Sequence, residues 1–158
     1  MQIVELGHAV LFVKNLERSV HFYRDVLGFP EITVPVEEGT AHPMARTAMF
    51  TTGRTHHELF LIEVGEGAPH PGQGRRAGLY HLGLKIGNDD ADLVAAIAEL
   101  HAAGVTIVGA SDHTVTHSLY VQDPDGNEIE LYVDVVGVDW HDPKMVLTPT
   151  RPLVLPRA

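Results

Sequence analysis

The chain has 158 residues, 44% of them hydrophobic and 20% charged, the balance of an ordinary soluble globular protein of one domain or two small modules sharing a core. Its formal charge of −10 argues against a nucleic-acid surface, and the absence of cysteine excludes disulfide scaffolds, zinc–thiolate sites and thiol nucleophiles, which suits a reducing, cytoplasmic setting. The first residues show no basic stretch followed by an apolar run, so no signal peptide is expected, and no apolar run approaches the roughly 20 residues that span a bilayer.

Residues 6–13 alternate as a strand, with Gly7, Ala9, Leu11 and Val13 on one face and His8, Val10 and Phe12 on the other. Asn15 is placed to cap a helix running to about Leu27, with Val20, Tyr23 and Leu27 as its apolar stripe and Gly28 as its end. Strand-like runs follow at 31–36, 46–51 and 56–64, and the composition of 65–77 predicts a loop. Then the order begins again. Residues 80–86 read as a strand with Leu82, Leu84 and Ile86 opposite His81. Asp89 to Asp92 cap a helix whose apolar positions Leu93, Ile97 and Leu100 recur at helical spacing, and Gly104 ends it. Strands are expected at 105–108, 116–122 and 127–135. The last two are joined by Asp123-Pro124-Asp125-Gly126-Asn127, which supplies the Pro and Gly of a tight hairpin. Residues 138–158 carry Pro143, Pro149, Pro152 and Pro156, fit neither copy and are read as a tail.

Each half is therefore β-α-β-β-β. His8 and His81 hold the same place in their first strands. Glu58-Leu59-Phe60-Leu61 matches Glu130-Leu131-Tyr132-Val133, and each is followed at the same distance by a glycine, Gly65 or Gly137. Glu130 sits mid-strand between Ile129 and Leu131, where a carboxylate is costly to bury unless paired or bound to a metal. Eleven histidines are unusual, and imidazole is the commonest metal ligand. A lone strand histidine is more often a hydrogen-bonded core or surface residue; its duplication at matching places is what points to a metal. Two histidines with one carboxylate make the donor set of a facial triad, which leaves about half of the coordination positions open. His21, His42, His70, His101 and His141 read as surface residues, and His117 as a solvated group near a turn.

The order of elements, Gly7-His8, Tyr80-His81-Leu82-Gly83 and the run from Asp123 to Tyr132 resemble the vicinal oxygen chelate superfamily over about residues 3–137. That superfamily comprises glyoxalases, fosfomycin resistance enzymes, bleomycin-binding proteins and extradiol dioxygenases. The resemblance implies an α+β fold: two βαβββ modules, at about 3–64 and 78–137, forming one domain over 1–137. The modules would form a cupped, incompletely closed mixed β barrel with the helices outside. It also implies one divalent metal on His8, His81 and Glu130.

Three features are similar to the catechol 2,3-dioxygenase branch. His56-His57-Glu58-Leu59 resembles its His-acid-aliphatic motif, Tyr120 stands ten positions before Glu130 like its tyrosine, and Asp112-His113-Thr114 resembles the segment carrying a further active-site histidine. The resemblance thus implies His57, His113 and Tyr120 as catalytic residues around Fe(II), with Mn(II) a substitute, and an aromatic vicinal diol and O2 as substrates. His57 would serve as acid–base and Tyr120 would steady negative charge on the substrate. An alternative stays open. Glu58 aligns with Glu130 in the repeat, alternation sends residues 57 and 58 to opposite faces, and glyoxalase I enzymes use a glutamate near this place as a fourth ligand to Ni(II) or Zn(II). A small-molecule-binding resistance protein is a further possibility. Phe12, Phe50, Phe60, the 37–45 and 65–77 loops and the tail are expected to shape the pocket. Edge protection and the shallow cup predict a homodimer or larger homo-oligomer, with no nucleic-acid or membrane partner.

Overall fold

The computed structural model describes residues 1–33, 46–70 and 77–154, in two compact units, Met1–Pro71 and Gly72–Ala158. In the first, β1 (Ala9–Val13) pairs in parallel with β3 (Leu59–Glu63), which pairs antiparallel with β2 (Thr47–Phe50), giving the order β1-β3-β2. The alternation of β1 holds, because Leu11 and Val13 are buried while Val10 and Phe12 are exposed. The strand is shorter than its sequence suggests, however, and His8 stands just before it.

The helix α1 (Leu16–Val20) starts at Asn15, whose side chain accepts from the Arg18 amide at 2.9 Å, while Glu63 accepts from the Leu16 amide at 3.0 Å. It continues as a π-helical segment, His21–Val26, closed by the Leu27 amide donating to the Phe22 carbonyl five residues back. The wider turn offsets the rest of the segment by about one residue, or about 100° around the axis. The buried side chains are therefore Ser19, Phe22 and Tyr23 rather than the expected stripe of Val20, Tyr23 and Leu27. Tyr23 and Phe29 meet Phe50 with ring centroids 6.1 and 5.7 Å apart, so Phe50 is fully buried and forms core rather than pocket wall. Of the strand expected at 31–36, Glu31 makes an isolated antiparallel bridge to Phe50; residues 34–36 and the 37–45 loop lie outside the described residues, as do 71–76 of the second loop.

The second unit repeats the plan more fully. β4 (His81–Gly87) pairs in parallel with β7 (Glu128–Asp134), then β6 (Thr116–Gln122), β5 (Gly109–Asp112) and β8 (Arg151–Pro152) are added antiparallel, in the order β4-β7-β6-β5-β8. In both sheets the first strand of the repeat lies beside its last, β1 beside β3 and β4 beside β7, with the middle strands beyond and β8 added at the far edge of the larger; neither closes on itself. α2 (Asp90–Ala102) packs across β4, β6 and β7, with Asp89 accepting from the Ala91 and Asp92 amides and with Leu93 and Leu100 buried. Leu119, Val121, Ile129, Leu131 and Val133 of β6 and β7 are buried with them, each worth about 1.5–3 kcal/mol of burial. The β6–β7 hairpin conforms closely to its sequence. Asp123 accepts from the Asp125 and Asn127 amides at 2.9 and 2.8 Å, and Gly126 takes φ +84°.

The strand expected at 105–108 is displaced to β5. Val105–Val108 has the β-branched residues, but only Val108 bonds toward β6, through the Tyr120 carbonyl; β5 is made by its neighbours β6 and β8. The tail contains α3 (Pro143–Val146), capped by Asp142, and reaches β8. No helix among the described residues is long and apolar enough to cross a membrane.

Candidate active site

In the second unit the pairing of Tyr120 with Glu130 across β6 and β7 puts both side chains on one face, with Tyr132 beyond. Tyr120 donates to Glu130 Oε1 at 3.2 Å and lies 2.8 Å from His113 Nε2, which is itself 3.7 Å from Glu130 Oε1. On the other side His81 Nε2 is 3.1 Å from Glu130 Oε2, and these side chains are only 27% and 15% exposed. One carboxylate thus gathers His81, Tyr120 and His113. Gly109, opposite Tyr120, makes room for the phenol, since a Cβ there would come within 3.3 Å of the ring. Burial first, and the Glu130 charge second, push the Tyr120 hydroxyl up to about 12, so it remains a donor at neutral pH. A hollow of about 270 Å3 adjoins Glu130, lined also by Val115, Thr116, Tyr132, Asp134 and Trp140.

A cation suits this donor set. Two ligands at about 2.1 Å from one ion, at right angles, lie about 3 Å apart, the separation of His81 Nε2 from Glu130 Oε2. Behind the ring, His81 Nδ1 and Glu128 Oε1 are buried 3.4 Å apart, each without a hydrogen-bond partner among the described residues. A carboxylate behind an imidazole is how ligand histidines are commonly oriented. Among the described residues no three His, Asp or Glu side chains are grouped to hold a metal ion.

In the first unit His8 is exposed and its ring lies 4.5 Å from that of His57 and 6.0 Å from that of His56. Since the ladder to β1 and β2 begins only at Glu58, His56 and His57 are not bound by strand alternation, and His57 comes against both His8 and Phe60. His56 and His57 bring their Nδ1 atoms to 2.7 Å, which requires one to be donor and the other acceptor. Burial, then the His56 and His8 charges, lower the His57 pKa from its ordinary value.

Glu58 has another task. Its carboxylate accepts from the Thr52 amide and hydroxyl, both at 2.6 Å, and pairs with Arg54 Nε at 3.3 Å. Arg54 in turn donates to the Leu6 and Gly7 carbonyls, just before His8. Burial works against ionisation of Glu58, but the Thr52 and Thr51 hydrogen bonds and Arg54 outweigh it and hold its pKa below the ordinary value. Strand register also corrects the repeat. Val10 and Gly83, each two residues after its histidine, face Phe60 and Glu130 respectively. Phe60, not Glu58, is the counterpart of Glu130, and Glu58 corresponds to Glu128; similar spacing in the chain concealed the two-residue shift.

His21, His70, His101 and His141 are exposed as expected, and His42 lies outside the described residues. His117 is not merely solvated: its Nδ1 is 2.6 Å from Asp90. Sequence reasoning passed over Glu128, Gly109, Arg54 and Trp140. Of these only Glu128 left a signal, on the same strand face as Glu130 two residues later.

Paired modules with a carboxylate and histidines gathered on the sheet face define the class. The chain belongs to the Glyoxalase/Bleomycin resistance protein/Dioxygenase superfamily, whose family model matches residues 5–131. It is 32% identical over 135 residues to a catechol-2,3-dioxygenase of Bacillus subtilis, covering 85% of this chain and 43% of that protein. It is also 32% identical over 133 residues to biphenyl-2,3-diol 1,2-dioxygenase 3 of Rhodococcus globerulus, covering 82% of this chain and 63% of the other. The chain therefore spans about half the length of these relatives. A glyoxalase/dioxygenase from Nostoc punctiforme has a similar structure, with a TM-score of 0.67 and 25% identity over 84% of this chain and 92% of that one.

Proposed function

We propose that this chain is a cytoplasmic extradiol dioxygenase that opens the ring of a catechol or related vicinal diol with O2, using Fe(II), or Mn(II) in its place, held by His8, His81 and Glu130. The observation that carries this is the Glu130 carboxylate shared by His81 and Tyr120, with His113 on the same phenol. Iron would supply the redox chemistry that couples the diol to O2, which no side chain here can supply. The remaining work falls to the protein. Tyr120, a neutral donor whose proton rests on Glu130 in the free chain, turns it to a diol oxygen and steadies negative charge there, with His113 still donating to it from the far side. His57, in contact with His8, takes the diol proton and returns it later. The ring of the substrate rests in the hollow between Glu130, Tyr132 and Trp140. The names of the relatives support an aromatic diol as substrate. A glyoxalase-like lyase on Ni(II) or Zn(II) is less well supported, because it requires as ligand a Glu58 carboxylate that is engaged by Thr52 and Arg54.

The test is anaerobic loading with Fe(II), then addition of catechol and air while the yellow ring-opened product is monitored by absorbance. Metal-free chain, and Ni(II)-loaded chain given methylglyoxal hemithioacetal, run alongside. Yellow product with iron alone is the expected result. Isomerisation by the Ni(II) sample without yellow product would replace the dioxygenase by a glyoxalase.

A further inference from the structure

We propose that Thr150, brought beside the site by the pairing of β8 with β5, is a positioning residue that fixes the ring of His113, making the segment that carries it part of the active centre. His113 takes its role from the dioxygenase reading above; its hydrogen bonds stand independently of that reading.

The polarity of those bonds is set by the protons each group can donate. The Glu130 carboxylate only accepts. Tyr120, 3.2 Å from Oε1, has one proton and gives it there. The phenol oxygen must then accept from His113 Nε2 at 2.8 Å, so Nε2 carries a proton. In a neutral imidazole the other nitrogen keeps its lone pair, and Nδ1 lies 3.3 Å from Thr150 Oγ1, whose hydroxyl donates to it. One directed chain results, from Thr150 through His113 and Tyr120 to Glu130. The tautomer is thus imposed from the Tyr120 and Glu130 side, and without the Thr150 hydroxyl the Nδ1 lone pair has no donor and the ring loses its hold at that edge.

Thr150 is held in place by its neighbours. Asp112 pairs with Arg151 and Ser111 with Pro152 across β5 and β8, and Arg151 Nη2 donates to Asp112 Oδ2 at 3.0 Å. Asp112 Oδ1 also accepts from the Thr114 amide at 2.7 Å, so both sides of His113 are fixed. None of these residues of the tail belongs to the βαβββ repeat.

The test reads His113 directly in the metal-free chain labelled with 15N-histidine, its signals assigned by their loss in His113→Asn. All variants are expected to keep the Nε2–H tautomer, with the bare Nδ1 signal of His113 in the same place in wild type and Thr150→Ser and shifted downfield in Thr150→Val, where its hydrogen bond is lost. His117, held by Asp90, reports on folding, and its signals should stay in place. If they move in the valine variant, Thr150→Ala supplies the comparison. With iron and catechol, Thr150→Val should lose about fivefold in kcat, the size of one ordinary hydrogen bond, with KM little changed, and Thr150→Ser should restore the rate. A His113 Nδ1 signal at the same position in wild type and in the variants lacking the hydroxyl overturns the assignment. Because that readout needs no turnover, a wild type that never cleaves catechol overturns the dioxygenase reading and leaves the Nδ1 signal to decide the role of Thr150.

Discussion

Glu130 is a single side chain that answers to three neighbours, His81, Tyr120 and His113. His81 contacts the carboxylate through Nε2 and has Glu128 behind Nδ1, and its proposed role is that of a ligand. His57 instead meets the rings of His8, His56 and Phe60, and its proposed role is that of a proton carrier. Substitution should split these roles. His81→Ala is expected to lose bound metal and turnover together, measured by metal analysis beside the catechol assay. His57→Ala should keep its metal and lose about 10²- to 10⁴-fold in kcat, the usual worth of a general acid–base. A His81→Ala chain that retains iron and full activity would remove His81 from the site.

Among the elements, the turn preceding β3 holds together because Glu58 is ionised and bonded to Thr52 and Arg54. Glu58→Gln should lower stability by about 1–2 kcal/mol in denaturant titration while leaving metal content unchanged. Loss of metal instead would return Glu58 to the ligand set. Because its folded pKa lies below its ordinary value, the Glu58 contribution is present above about pH 4.5 and is lost as pH falls through the folded value. The glutamine variant should therefore show a shallower acid loss of stability than wild type. These contacts are hidden in the sequence, where Glu58 looks like a second Glu130. The legible part is periodic: β6 and β7 alternate, and their turn residues admit one kind of hairpin, so the pairing of Tyr120 with Glu130 is foreseeable. The illegible part depends on neighbours. The weak strand-former Gly109-Ala110-Ser111-Asp112 is a strand because β6 and β8 flank it, and the π-helical segment moves Phe22 inward where period 3.6 places Val20.

For the molecule as a whole, the two sheets treat their edges differently. β8 blunts one edge of the larger sheet with two residues, one a proline, and Lys85 on the opposite edge strand pairs with Asp134 at 2.6 Å. β1, at an edge of the smaller sheet, exposes Val10 at 47% and Phe12 at 68%. Such a strand calls for a cover, and a homodimer is the expected assembly. Light scattering should give twice the chain mass of 17.2 kDa for wild type, and Phe12→Glu should shift it toward the monomer. A monomeric wild type would end this expectation. The parallel pairs carry a consequence in time. β1 must wait for β3, and β4 for β7, with Gly83 meeting Glu130 only after the intervening chain has been made. Folding dominated by such distant pairings is slow. The bond from Thr150 to His113 spans 37 residues and needs β8 seated on β5, so the polar chain on Glu130 is complete only when that edge strand has been added.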